Sequence, residues 1–199
     1  MKPSIAFFDF DGTITRKDTM LEFVRFVFGS KRMYAGMVKI SPWLIALKAG
    51  LYPAHKAKEK LLSIFFKGMS EETFNKHAAN FSAEALPGLL RPGAMRELAM
   101  HKQKRTKVVV VSASAENWVK YFCDEQQITC IATKLEIDSR GNLTGKLSGA
   151  NCNAMEKVNR IKCEFDPADF ENIYAYGDSK GDKDMLSIAT HPHYRFFTD

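Results

Sequence analysis

The sequence predicts an α/β protein, a doubly wound parallel-sheet core carrying an all-helical insertion after its first strand. Three features predict it. Apolar runs at 5–8, 108–111 and 173–176 each end in polar or acidic residues, as buried parallel strands do where their carboxyl ends meet a ligand. Helical periodicity separates the runs. Residues 17–88 show apolar steps of three and four with no strand pattern, which reads as an inserted bundle.

In chain order, 5–8 is the first strand, and 18–29 is a helix capped by Asp18 or Thr19 with Leu21, Val24, Arg25 and Phe28 at helical spacing. A second apolar face follows at Met33, Met37, Ile40, Leu44, Leu47 and Leu51, where Pro42 is expected to kink or split the helix. Residues 55–68 and 70–86 complete the insertion, the latter started by Ser70-Glu71-Glu72. After Pro87-Gly88 and Arg91-Pro92-Gly93, residues 94–101 are helical and 108–111 form a second buried strand. A helix over 116–127 leads to 131–138 and 143–147, read as a hairpin or extended pair around Ser139-Arg140-Gly141-Asn142. Residues 154–162 are a helix and 173–176 a third buried strand. The organisation is thus a Rossmann-like core of 1–16 and 89–199, with a helical cap over 17–88. Hinges are expected near 15–17 and 87–93, because a bundle over a site must move to admit substrate.

Composition narrows the function. With 199 residues, 45% of them hydrophobic, the chain can bury a real core. The longest apolar stretch, 40–47, is broken by Pro42 and flanked by lysines, and Asp9 and Asp11 interrupt the N-terminal apolar run; neither a membrane span nor a signal peptide is expected. Four cysteines without CxxC spacing indicate reduced thiols, a cytoplasmic setting and no zinc site. The net charge of +6 is concentrated in 17–88, which holds 11 Lys/Arg against 6 Asp/Glu. A basic segment without a nucleic-acid motif reads either as an ordinary solvated surface or as attraction for an anionic substrate or, through the basic, apolar cap, for the inner membrane surface, rather than for nucleic acid.

The chemistry begins at Asp9-Phe10-Asp11-Gly12-Thr13. Two carboxylates alternate with Phe10, so both leave the strand on one side, where they repel unless a cation or a proton intervenes. A calcium loop would place glycine sixth, where this chain has Ile14. The arrangement suits Mg²⁺, nucleophilic attack, or both. The second strand runs into Ser112-Ala113-Ser114, where a hydroxyl and free backbone N–H groups suit a phosphate oxygen or simply cap a helix. The third runs into Gly177-Asp178-Ser179-Lys180-Gly181-Asp182-Lys183-Asp184. There Asp178 is placed for metal contact, Asp182 for orienting it one turn on, and Asp184 for a helix start. Lys157, by spacing alone, is a solvated lysine.

In this order Asp9-x-Asp11-Gly12-Thr13, Ser112, Lys157 and Gly177-Asp178 with Asp182 resemble the four motifs of the haloacid dehalogenase-like phosphohydrolases. The ending 177–186 and Cys152 are similar to the phosphoserine-phosphatase-like branch, and the insertion to that family's first type of cap. Ala154 departs from the glycine usual there. The resemblance implies a Mg²⁺-dependent phosphatase in which Asp9 is the nucleophile and Asp11 the general acid and base. It implies metal ligation by Asp9, the Asp11 carbonyl and Asp178, with Asp182 in support. Ser112, Lys157 and the N–H groups of Gly12 and Ala113 would bind the phosphoryl oxygens.

A phosphorylation-controlled receiver domain and a catalytically silent relative are the competing readings. The first normally has adjacent acids and no such insertion, and the second is disfavoured because all four motifs are intact. Gly12, Ser112-Ala113-Ser114 and Asp18 stand where enzymes for phosphoserine tend to have serine, Ser-Gly-Gly and glutamate. A small organic phosphomonoester is therefore the first expectation for substrate, and a lipid head-group phosphate such as phosphatidylglycerophosphate the second.

Overall fold

The computed structural model describes residues 2–199. Its centre is a five-stranded, all-parallel sheet of order β3-β2-β1-β6-β7, formed by β1 (Ser4–Phe8), β2 (Lys107–Ala115), β3 (Thr129–Thr133), β6 (Asn172–Gly177) and β7 (His191–Tyr194). Parallel neighbours need long crossovers, and helices supply them: α4 (Pro92–Gln103), α5 (Glu116–Gln126), α6 (Met155–Glu164) and α7 (Lys183–Ser187). One sheet face buries Ile5, Phe7, Val109 and Val111 with Ile161 of α6 and Met185 of α7. The other buries Phe8, Phe10 and Val110 with Leu98 of α4 and Trp118 of α5. Because β1 is central and covered on both faces, its carboxyl end delivers Asp9 and Asp11 to the middle of the sheet edge.

Three helices, α1 (Thr19–Lys48), α2 (Ala54–Phe66) and α3 (Glu71–Glu84), fill the stretch between β1 and α4. The Asp18 carboxylate caps α1 through the amides of Met20 and Leu21. The expected kink at Pro42 is absent, and the break falls at Gly29, where the helix over 18–29 is expected to end. The helix departs from helical geometry at Gly29 (φ 76°, ψ 163°), while Pro42 sits inside the continuing helix. Glycine adopts that φ at little cost. At Pro42 the hydroxyl of Ser41 donates to the Val38 carbonyl at 2.8 Å, replacing the N–H that proline lacks.

The insertion has an aromatic core. It is built from Phe23, Phe66, Phe74 and Phe81, which are essentially fully buried, and it joins the sheet domain through Trp118, whose ring centroid lies 4.7 Å from that of Phe23. Met37, Leu44 and Leu47 instead line a chamber, and Tyr34 faces outward.

Two strands read differently as well. Residues 131–138 do not form one strand. Exposed Lys134 divides β3 from β4 (Leu135–Ile137), which pairs antiparallel with β5 (Leu143–Leu147) in a separate hairpin. That hairpin lies on the insertion: the Gly68 amide donates to the Leu143 carbonyl and the Leu143 amide to Met69. The fifth sheet strand, β7, has no counterpart in the sequence reading, because His191-Pro192-His193-Tyr194 is a largely exposed edge with proline in it. The two crossings between insertion and sheet run side by side, with the Arg16 amide bonded to Leu89 and the Arg91 amide to Ile14.

Candidate active site

The first strand ends so that Asp9 is buried and Asp11 half-buried. Gly12 follows at φ 84°, where a Cβ would lie 2.4 Å from an Asp178 carboxylate oxygen. Glycine is thus required both for the turn and for the close approach of β1 to the loop after β6. Carboxylate oxygens of Asp9, Asp178 and Asp182 all lie within 4.8 Å of one another. Lys157 is 1% exposed, and its Nζ donates to Asp9 Oδ1 and Asp182 Oδ1, each at 2.6 Å. The lysine that spacing alone would leave in solvent is in fact the buried counter-charge of the acid group.

Electrostatics follow from that enclosure. Burial alone would push the Lys157 ammonium down, but Asp9 and Asp182 more than offset it and hold the lysine protonated. Burial pushes Asp9 up to about 7 against the pull of Lys157, with Asp182 and Asp11 adding to the rise. Asp178 is likewise raised by burial and by Asp182. Asp182 itself lies below the usual range: Lys157 and the Ser179 hydrogen bonds outweigh its burial. Three carboxylates sharing one ammonium leave negative charge uncompensated, and all the donors are hard oxygens. That set fits a divalent cation of the Mg²⁺ type and not a thiophilic metal.

Asp11 is held apart from this group by neighbours of its own. Its Oδ1 accepts from the Thr19 amide at 2.7 Å and from Thr19 Oγ1 at 2.6 Å, and its Oδ2 from Ser114 Oγ. Trp118 Nε1 in turn donates to Thr19 Oγ1 at 2.9 Å. Burial and the nearby Asp18 raise the Asp11 pKa, against the opposing bonds from Ser114 and Thr19. A carboxyl raised in this way and oriented on both oxygens can carry a proton to a substrate and take one back. Ser112 is fully buried, and its Oγ accepts from the Ser114 amide at 2.9 Å. Asp184 lies in the first turn of α7, as a helix-start acid.

The turn before α6 carries the departure noted in the sequence. Ala154 adopts φ 51°, ψ −130°, a region of backbone strain for any residue but glycine. Its carbonyl accepts from the Lys157 amide at 3.0 Å, and its own amide donates to Gly181 at 2.9 Å, so the strained residue ties α6 to the loop after β6. Relief of about 1–3 kcal/mol of strain exceeds glycine's entropic cost of roughly 0.5–1 kcal/mol. Ala154→Gly is therefore expected to raise Tm by a few degrees in thermal unfolding, and an unchanged or lower Tm would count against the strained turn.

Beside the acids, under the insertion, lies a chamber of about 320 Å³. Its walls are mainly apolar: Met20, Met37, Ile40, Leu44, Leu47 and Leu61. Its polar lining is Asp11, Asp18, Lys58, Ser114 and Asn151. Lys58, from α2, donates to the Ala113 carbonyl and, at 3.1 Å, to Asn151 Oδ1. Burial lowers its pKa to about 8, despite Asp11 and Asp18 nearby. Lys58, Thr19, Ser114 and Trp118 were not singled out by sequence as site residues. The bonds of Lys58, Ser114 and Trp118 into the site span 55, 103 and 99 residues, Thr19 lies eight residues from Asp11, and no local spacing signals any of them.

A parallel α/β sheet with two acids after β1, a buried lysine from α6 and further acids after β6 defines a class of hydrolase. The model of the haloacid dehalogenase-like hydrolases matches residues 6–187, and the chain belongs to that family. Among its relatives is Protein CicA of Caulobacter vibrioides, 34% identical over 199 residues, covering 98% of this chain and 87% of that protein. A solved structure of a protein with unknown function from Bordetella pertussis Tohama I superposes with a TM-score of 0.82 at 19% identity, covering 96% of this chain and 88% of that one. A phosphoserine phosphatase captured as a phospho-aspartyl intermediate analogue superposes with a TM-score of 0.64 at 20% identity, covering 95% and 84%.

Proposed function

We propose that the protein is a Mg²⁺-dependent phosphomonoester hydrolase working through an aspartyl-phosphate on Asp9. The observation that carries this reading is the pairing of a buried carboxylate, Asp9, held by Lys157 at 2.6 Å, with a separately oriented acid, Asp11, two residues on. Two carboxyls in different environments are what a nucleophile and an acid–base pair need.

Asp9, the Asp11 carbonyl and Asp178 would hold the metal, with Asp182 supporting Asp178 through its bond to the Asp178 amide. When bound, Mg²⁺ neutralises phosphoryl charge and offsets the repulsion among the acids. The free Asp9 oxygen attacks phosphorus, and the bond from phosphorus to the leaving oxygen breaks. The Asp11 proton passes to that oxygen, so an alcohol departs rather than an alkoxide. Asp11, now ionised, takes a proton from water. The resulting hydroxide attacks the same phosphorus, and phosphate and free Asp9 are released. Lys157, the Ser112 hydroxyl and the amides of Gly12 and Ala113 neutralise and bind the phosphoryl oxygens. The insertion over 17–88 acts as a cap that excludes water during the transfer.

The chamber changes the order of substrate preference. A small polar phosphate would leave its apolar walls uncovered, whereas a phosphomonoester with an apolar body would fill them. Phosphate release from a panel of phosphomonoesters with Mg²⁺, and again with EDTA, tests the reading. Release with Mg²⁺ that EDTA abolishes is expected. Activity indifferent to EDTA would refute the metal-dependent step.

A further inference from the structure

The second half of α1 is apolar on two separate sides. Its inner side, Met37, Ile40, Leu44 and Leu47, lines the chamber beside Asp11. Its outer side presents Tyr34, Val38 and Ile45, which are 64%, 72% and 68% exposed, and Leu51 just beyond the helix is 82% exposed. Steps of four and seven place Tyr34, Val38 and Ile45 on one face. A helix on a globular surface keeps its outer face polar.

Charge on this segment is equally one-sided. Between Glu22 and Glu59 the chain has seven Lys/Arg and no Asp or Glu. Lys31 and Lys48, both exposed, flank the outer face, and exposed Arg32 and Lys39 lie further round the helix. Apolar side chains edged by cations match an anionic bilayer surface: the apolar groups enter the acyl boundary while the cations meet head-group phosphates. A second copy of the chain would present the same positive border and be repelled.

We propose that the outer face of α1 docks the protein on an anionic membrane, and that its substrate is a phosphomonoester borne by a membrane lipid. The part of the lipid next to its phosphate enters the chamber, its acyl ends remain in the bilayer, and its terminal phosphate reaches Asp9. Asp9 takes the terminal phosphoryl group while the Asp11 proton goes to the departing lipid oxygen, and water then releases inorganic phosphate from Asp9; the lipid alcohol stays in the bilayer. The substrate half rests on the phosphatase reading; the docking half does not.

The test uses the full chain with vesicles of phosphatidylcholine, or of an equimolar mixture with phosphatidylglycerol, and a Val38→Asp/Ile45→Asp variant. Hydrolysis of p-nitrophenyl phosphate and Tm serve as controls that the variant is intact. Wild type is expected to sediment with the anionic vesicles, and the variant about tenfold more weakly. Wild type is also expected to release phosphate faster from vesicle-borne phosphatidylglycerophosphate than from glycerol 3-phosphate. The variant should lose that preference while hydrolysing the aryl phosphate normally. No sedimentation, or equal sedimentation of the variant, overturns the docking. A dimer in size-exclusion chromatography that the variant abolishes assigns the face to a second copy and overturns it too. Vesicle binding without hydrolysis of any ester sustains the docking and defeats the phosphatase reading instead.

Discussion

Asp9→Asn is expected to lower turnover by on the order of 10⁴-fold or more, the scale of losing a nucleophile that acts within a catalytic unit. The substitution is nearly isosteric, and the amide oxygen can still accept from Lys157, so the fold should survive. What is lost is the oxygen that bonds phosphorus, together with one negative charge of the acid group. Two measurements separate these effects from a structural one. In acid-quenched single turnovers with a labelled phosphomonoester, wild type should carry label on Asp9 and the variant none. In thermal unfolding, the variant should keep its melting transition but gain less from added Mg²⁺ than wild type does. Retention of more than about a tenth of wild-type turnover would place the nucleophile elsewhere.

The second large effect is on stability. Lys157 is the ammonium shared by Asp9 and Asp182 in a buried group. Removing one partner of such a group strands the others, a cost of about 3–5 kcal/mol. Lys157→Met keeps much of the volume and removes only the charge, and in a chain of this size it should lower Tm by roughly 6–20 °C. Lys120 provides the contrast. It meets Asp124 at 2.9 Å, but both side chains are more than half exposed, so Lys120→Met should leave Tm essentially unchanged. Asp182→Asn added to Lys157→Met should recover part of the loss, because it removes one of the stranded charges. Equal Tm values for the two lysine variants would contradict the buried pairing.

The parts of the fold that were legible in the sequence are those where burial writes a simple pattern. β1, the middle of β2 and β6 are covered on both faces and read as unbroken apolar runs. β7 escaped because an edge strand need not be apolar, and the β3–β4 division escaped because a single exposed lysine interrupts a run that looks continuous. Within the site, Asp9, Asp11 and Asp178 were visible because acids at the ends of apolar strands are costly unless used. Lys157 was not legible from its own surroundings and came only from the resemblance. Its burial is created by Asp9, 148 residues away. The Trp118–Thr19 bond spans 99 residues and that of Lys58 to Ala113 spans 55, distances over which no periodicity speaks. The end of the first helix at Gly29 was legible from the glycine itself, whereas the expected kink at Pro42 did not form because Ser41 supplies locally the donor that proline lacks.

The hairpin of β4 and β5 divides the molecule differently from chain order. Although it follows the sheet strand β3, its contacts are with α2. Gly145 approaches Ser63 so closely that a Cβ there would lie 2.6 Å from the Ser63 Cα, and the Glu71 amide bonds to Gly141. A chimera that exchanged only residues 17–88 with a relative would seat a foreign α2 on a hairpin shaped for another partner. A working exchange must carry residues 135–147 as well. Two stretches of the gene that lie far apart are thereby coupled through one packing contact, and a change on the hairpin-facing side of α2 calls for a matching change in residues 135–147.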